Sequence, residues 1–204
     1  SNISNEIWFV TDKDNEFQRL AAMDLNTKNT TYYTSNIPWN VESFNLSKDK
    51  KTIVFITNEA GLNKMYLMNT GTKVYKEVKN LPIGLISDAH FTKDNQNIFF
   101  KQSTAQSASD VYQLNIKTAK IERWTESELG EMQPSDMSVP KFIEWKSFDD
   151  LKISGFYYPA SPKFKGKRPV IIMIHGGPEG QSMASFLDSN NFYTSEMGVS
   201  LVYP

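Results

Sequence analysis

Over the first 125 residues, apolar and polar positions alternate in short runs: "EIWFV" at 6–10, "TIVFI" at 52–56 and "NIFFK" at 97–101. A period of two predicts β-strands with a buried face, and Ile7, Ile53 and Ile98 correspond at offsets of 46 and 45 residues. Downstream of each strand lies a second related segment: "MDLNTKNTTYYT" from Met23, "LMNTGTKVYKEV" from Leu67 and "LNIKTAKIERWT" from Leu114, at offsets of 44 and 47. Two of the strands share a lead-in, "LSKDKKTIVF" from Leu46 and "FTKDNQNIFF" from Phe91, in which Ser or Thr, Lys and Asp predict a tight polar turn.

A repeat of about 45 residues built of three or four short strands is the sequence signature of β-propeller blades. An ordinary antiparallel meander is the other reading, and the repeated turn argues against it. Three blades do not close a ring, so the chain is expected to begin partway through a larger propeller.

The rhythm changes around residues 126–141, where "ESELGEMQPSDMSVP" interrupts the repeat with Gly130, Pro134 and Pro140, a composition suited to an interdomain connection. The expected division is a partial propeller over 1–135 and a second unit over 136–204. In that unit "KFIEWKSF" and "LKISGFYYP" predict an antiparallel hairpin around Asp149-Asp150. "PVIIMI" does not alternate and predicts a strand covered on both faces. A helix over 191–197 follows, with Gly198 as its left-handed cap, and then the strand "VSLVYP". Strand, helix, strand in that order predicts a βαβ unit, so the fold class is mixed: all-β blades, then the start of an α/β domain.

Composition removes several function classes. Lys and Arg number 22 against 23 acids, so no basic excess points to nucleic acid or an anionic membrane as a partner. The longest apolar run, Val170 to Ile174, is far below the ~20 residues of a membrane span, and the N-terminus has no export-signal pattern. There is no cysteine, and the two histidines, His90 and His175, lack ligand spacing, so neither a metal nor a cofactor is expected. The absence of thiols fits a cytoplasmic or a periplasmic setting equally.

The apolar run at 170–174 ends in His175-Gly176-Gly177-Pro178. Glycines at the end of a parallel strand leave backbone N–H groups bare at the edge where open α/β sheets bind ligands. Such donors stabilise the oxyanion of acyl transfer, and a His-Gly-Gly loop fills that role in α/β-hydrolases.

The order of these segments resembles the prolyl oligopeptidase family of serine peptidases, and its acylaminoacyl-peptidase-like branch in particular. The resemblance rests on the repeats, then "FIEWKSFDDLKISGFYYP", "RPVIIMIHGGPEGQ" and "NNFYTSEMGVSLVYP", and covers nearly the whole chain. The lead-in turns look like that family's Ser-Pro-Asp-Gly repeats, although Lys48 and Lys93 replace the proline and neither copy has the glycine. The resemblance implies a propeller capping an α/β-hydrolase domain that cleaves short peptides. It makes the Gly177 N–H an oxyanion donor, with Gly176 and His175 shaping the loop, and His175 a packed loop residue, not the catalytic histidine.

The Gly-x-Ser-x-Gly elbow is missing from these residues, so the triad is expected beyond residue 204 and the chain alone is expected to be inactive. Ser182 in "GQSMA" lacks a preceding strand, and Ser200 in "GVSLV" falls inside one. Asp88 and His90 read as polar decoration, and Glu126, Glu128 and Glu131 as solvated charge. The alternatives to a peptidase are a non-enzymatic propeller binding module with a degenerate hydrolase segment, or an esterase on the same scaffold. Open blade edges predict association unless the missing parts are supplied.

Overall fold

The computed structural model describes residues 5–177 and 179–204. Nearly all of it is β-structure, in four sheets. The first contains β1 (Glu6–Thr11), β2 (Arg19–Asp24) and β3 (Thr30–Tyr32) in sequential order. The second contains β4 (Asn40–Leu46), β5 (Thr52–Glu59), β6 (Leu62–Asn69) and β7 (Tyr75–Glu77). The third repeats that pattern with β8 (Gly84–Phe91), β9 (Asn97–Thr104), β10 (Ser107–Asn115) and β11 (Ile121–Arg123). All three are antiparallel meanders whose outermost strand is only three residues long, the arrangement of propeller blades with blunted edges.

The repeat is real, and its register corrects the sequence alignment. Ile7, Ile53 and Ile98 stand opposite Met23, Met68 and Leu114, so the second strands align at offsets of 45 and 46 in place of 44 and 47. The turn after each of these strands sets the register. Asp24 Oδ1 accepts the N–H groups of Asn26 and Thr27, Asn69 Oδ1 those of Gly71 and Thr72, and Asn115 Oδ1 that of Thr118. Lys28, Lys73 and Ala119 then adopt φ of 60°, 61° and 56° and donate their N–H groups back to the carbonyls of Asp24, Asn69 and Asn115. An Asp or Asn followed three residues later by Thr is therefore the physical repeat unit.

The predicted lead-in turn recurs as well. Ser47 Oγ donates to Asp49 and accepts the Thr52 N–H, while Lys50 sits at φ 60°. Thr92, Asp94 and Asn95 repeat these roles before β9. A third copy appears where no repeat was expected, at Ser147–Leu151: the Asp150 N–H bonds Ser147 O, and the Leu151 N–H bonds Asp149 Oδ1.

Packing follows from the alternation. Along β5, Ile53 and Phe55 face the first sheet in a cluster with Leu20, Ile37, Val41 and Met68, while Val54 and Ile56 face the third with Ile86, Ile98, Phe100 and Leu114. A strand buried on both faces holds two cores together, and each such side chain contributes roughly 1.5–3 kcal/mol.

The connection out of the third sheet is tied down by one carboxylate. The Asp110 side chain is fully buried and accepts hydrogen bonds from Ser107, Arg123, Thr125 and Ser127. Burial pushes its carboxyl up, but the bonds from Ser107, Thr125 and Arg123 outweigh that and hold it below the ordinary aspartate value.

The fourth sheet has the order β12 (Lys141–Lys146), β13 (Lys152–Tyr158), β15 (Ser200–Tyr203), β14 (Val170–Ile172). The predicted hairpin is present as β12–β13. The βαβ unit is present too, with β14 and β15 parallel and α1 (Asn191–Ser195) between them. The helix is shorter than the expected 191–197. The Glu196 and Met197 N–H groups both turn back to Phe192 O, and Gly198 closes the end at φ 64°.

One expectation fails. "PVIIMI" forms a three-residue strand exposed on one face, with Val170 at 51%, Ile172 at 62% and Ile174 at 77% exposure. β14 is an edge strand, and only its inward residue Ile171 reaches the cluster of Phe156, Tyr158, Ala184, Leu187 and Leu201.

Candidate functional site

The glycine loop leaves β14 at its C-terminal end, beside the parallel strand β15. His175, Gly176 and Gly177 are all exposed. Gly177 has φ +135°, a conformation that side-chain residues rarely adopt. The third glycine of "HGGPEG", Gly180, is the most tightly enclosed of the three. A Cβ on Gly180 would lie 2.5 Å from Gly176 O and 2.8 Å from His175 Nδ1, so the loop doubles back onto its own start. Among the described residues, the Gly177 N–H donates no hydrogen bond. An exposed, unpartnered N–H is free to meet an anionic oxygen.

His175 is exposed, in contrast to the packed ring expected of it. Its Nδ1 lies 3.2 Å from Gly176 O, and Gly180 packs against the ring. Among the described residues, the contacts given for the imidazole are local ones, to Gly176 and Gly180.

Beyond the loop, residues 181–184 run across the tip of the β5–β6 hairpin. Asn58 Nδ2 donates to Gln181 Oε1 at 2.8 Å, and the Ala184 N–H donates to Gly61 O at 3.1 Å. Ala105, in the tip of the β9–β10 hairpin, packs into the same cluster as Phe156, Ala184 and Leu187.

The remaining candidates fall where the sequence put them. Ser182 is a half-buried loop residue. Ser200 is buried inside β15, where its Oγ accepts the Ala160 N–H and contacts Tyr157 Oη at 3.0 Å. Asp88 sits in a bulge at φ 52° and pairs with Lys101 at 2.8 Å, a hydrogen bond and charge that hold its carboxyl below the ordinary range. His90 turns instead to Asn45, with Nδ1 3.0 Å from Nδ2. Glu126, Glu128 and Glu131 are exposed. Among the described residues, neither imidazole hydrogen-bonds a serine hydroxyl or a carboxylate.

No protein-family model matches the chain, and no curated protein is similar to it in sequence. Solved structures are similar in fold. A puromycin hydrolase superposes with a TM-score of 0.82 at 15% identity, over 98% of this chain and 31% of its own. Prolyl oligopeptidase B from Galerina marginata gives 0.81 at 15% identity, over 100% of this chain and 29% of its own. Porphyromonas gingivalis dipeptidyl peptidase 4 gives 0.72 at 18%, over 97% and 28%. The chain shares the fold of propeller-containing peptidases. It spans under a third of the length of each of these structures.

Proposed function

We propose that the chain is part of a serine-type peptidase of the prolyl oligopeptidase family that hydrolyses short peptides. Residues 1–135 are its partial propeller, and residues 136–204 begin its α/β-hydrolase domain. The observation that carries this reading is the loop after β14, with Gly177 at φ +135° and its N–H unpartnered among the described residues. In this role the Gly177 N–H donates to the oxyanion of the tetrahedral intermediate, while Gly176 and His175 shape the turn. The Ser-Asp-His triad is supplied by sequence beyond residue 204, and the 204-residue chain alone is inactive. Fold similarity to peptidases supports the reaction class.

Fluorophosphonate labelling with peptide mapping tests the reading, run on this chain and on the complete gene product side by side. A label on a serine beyond residue 204, and none on this chain, is the expected result. A label on Ser182 would overturn the site assignment. No label on either would overturn the hydrolase reading and favour a propeller that only binds.

A further inference from the structure

We propose that two neighbouring hairpin tips, Ala60–Gly61 and Ala105–Gln106, form a platform that positions the loop carrying His175–Gly177. The catalytic meaning of this inference rests on the oxyanion reading of that loop. Its mechanical content does not.

The two tips are the same element of two repeats, 45 residues apart. In the second sheet, Ala60 and Gly61 make the two-residue turn between β5 and β6, with φ of 54° and 83°. Positive φ at both residues belongs to a primed turn, which favours glycine. The φ angle is only part of what position 61 requires. A Cβ there would stand 2.7 Å from Ser182 O and 2.8 Å from the Phe156 ring, so the backbone of residue 182 lies directly on the turn.

Three further contacts fix the same point. Asn58 bridges turn and loop: its Oδ1 accepts the Gly61 N–H at 2.9 Å, and its Nδ2 donates to Gln181. Gly61 O accepts the Ala184 N–H. In the third sheet, Ala105 is 4% exposed beside Ala184 and Leu187, and Gln106 Nε2 donates to Pro134 O at 2.8 Å. That second bond holds the chain entering the fourth sheet, as the first tip holds the chain leaving the glycine loop. In the first sheet the β1–β2 connection is a longer excursion, closed on itself by Arg19 bonding Lys13 O, and among the described residues no hydrogen bond from it to residues 175–184 is seen.

Gly177 lies four residues before Gln181, so the anchors at 181, 182 and 184 restrict where its N–H can point. Misplacing a catalytic donor by about 1 Å can cost on the order of 100-fold in rate, which makes Asn58 and Gly61 positioning residues without any contact to substrate.

Backbone ¹⁵N relaxation of the loop glycines in the complete gene product tests this without relying on catalysis. The order parameters of Gly176, Gly177 and Gly180 are expected near about 0.85 in the native chain and below about 0.6 in Gly61→Val. Should Gly61→Val fail to fold, Asn58→Asp combined with Gln181→Glu replaces it. Each single change leaves a donor facing an acceptor, since the remaining amide can turn, whereas the double change sets two carboxylates together. The double variant is expected to lower the three order parameters by at least about 0.1, with both singles native-like. A native loop already below about 0.6, or a folded Gly61→Val or double variant with the loop unchanged, would overturn the platform. Those results would leave the oxyanion reading standing, just as absent fluorophosphonate labelling would remove that reading and leave the platform.

Discussion

The second and fourth sheets have four strands each and opposite characters. In the second, β5 buries both faces, and Ile53, Phe55 and Met68 have no exposed surface. In the fourth, β14 half-buries Ile171 and leaves Val170 and Ile172 more than half exposed. A blade is finished by the blades on either side of it, whereas the sheet carrying the glycine loop ends in an edge strand that is largely exposed. On the platform proposal, the loop takes its order from the buried blades through the hairpin tips.

That contrast can be broken by mutation. The largest effect is expected for Phe55→Ala, which empties a site beside two aromatic neighbours, Tyr66 stacked on the ring and Tyr75 edge-on to it. Deleting a fully buried phenylalanine costs about 3–5 kcal/mol, read as a lower urea midpoint with unchanged slope. An effect under 1 kcal/mol would show that the blade core is not what holds the fold.

Next is Asp110→Asn, which weakens a hub of charge-assisted bonds and should cost about 2 kcal/mol near pH 7. The cost depends on pH in a definite direction. A carboxyl held below its unfolded value stabilises the fold above that value, about 3.9, and loses the contribution as pH falls through the lower folded value. The difference between Asp110→Asn and the native chain should therefore shrink in acid and vanish below both values. A difference that stays constant from pH 7 down to 3 would contradict the hub. The smallest effect is expected for Ile172→Ala, under about 0.5 kcal/mol, because more than half of that side chain is already in solvent. A core-sized loss there would mean that β14 is covered in solution.

Much of this was legible in the sequence, and the failures have physical causes. Alternation at Ile53 and Ile98 announced blades because each strand packs against its own repeat. The offsets of 44 and 47 missed the true register because the eye follows apolar residues, while the turn is set by Asp24, Asn69 and Asn115 and the threonines three residues later. "PVIIMI" misled because an unbroken apolar run reports what a strand can bury, not what surrounds it. Gly176 and Gly177 stood out as a motif, but Gly61 did not. Its constraint comes from Ser182, 121 positions away, and only the fold brings the two together.

Whether the proposed Gly177 N–H donor acts on the reacting oxygen is read most directly from the rate of fluorophosphonate labelling of the complete gene product with and without Gly177→Ala. A methyl group at φ +135° turns the N–H away, and losing an oxyanion donor is expected to slow the reaction on the order of 100-fold while the fold stays intact. An unchanged labelling rate in the folded variant would contradict the claim.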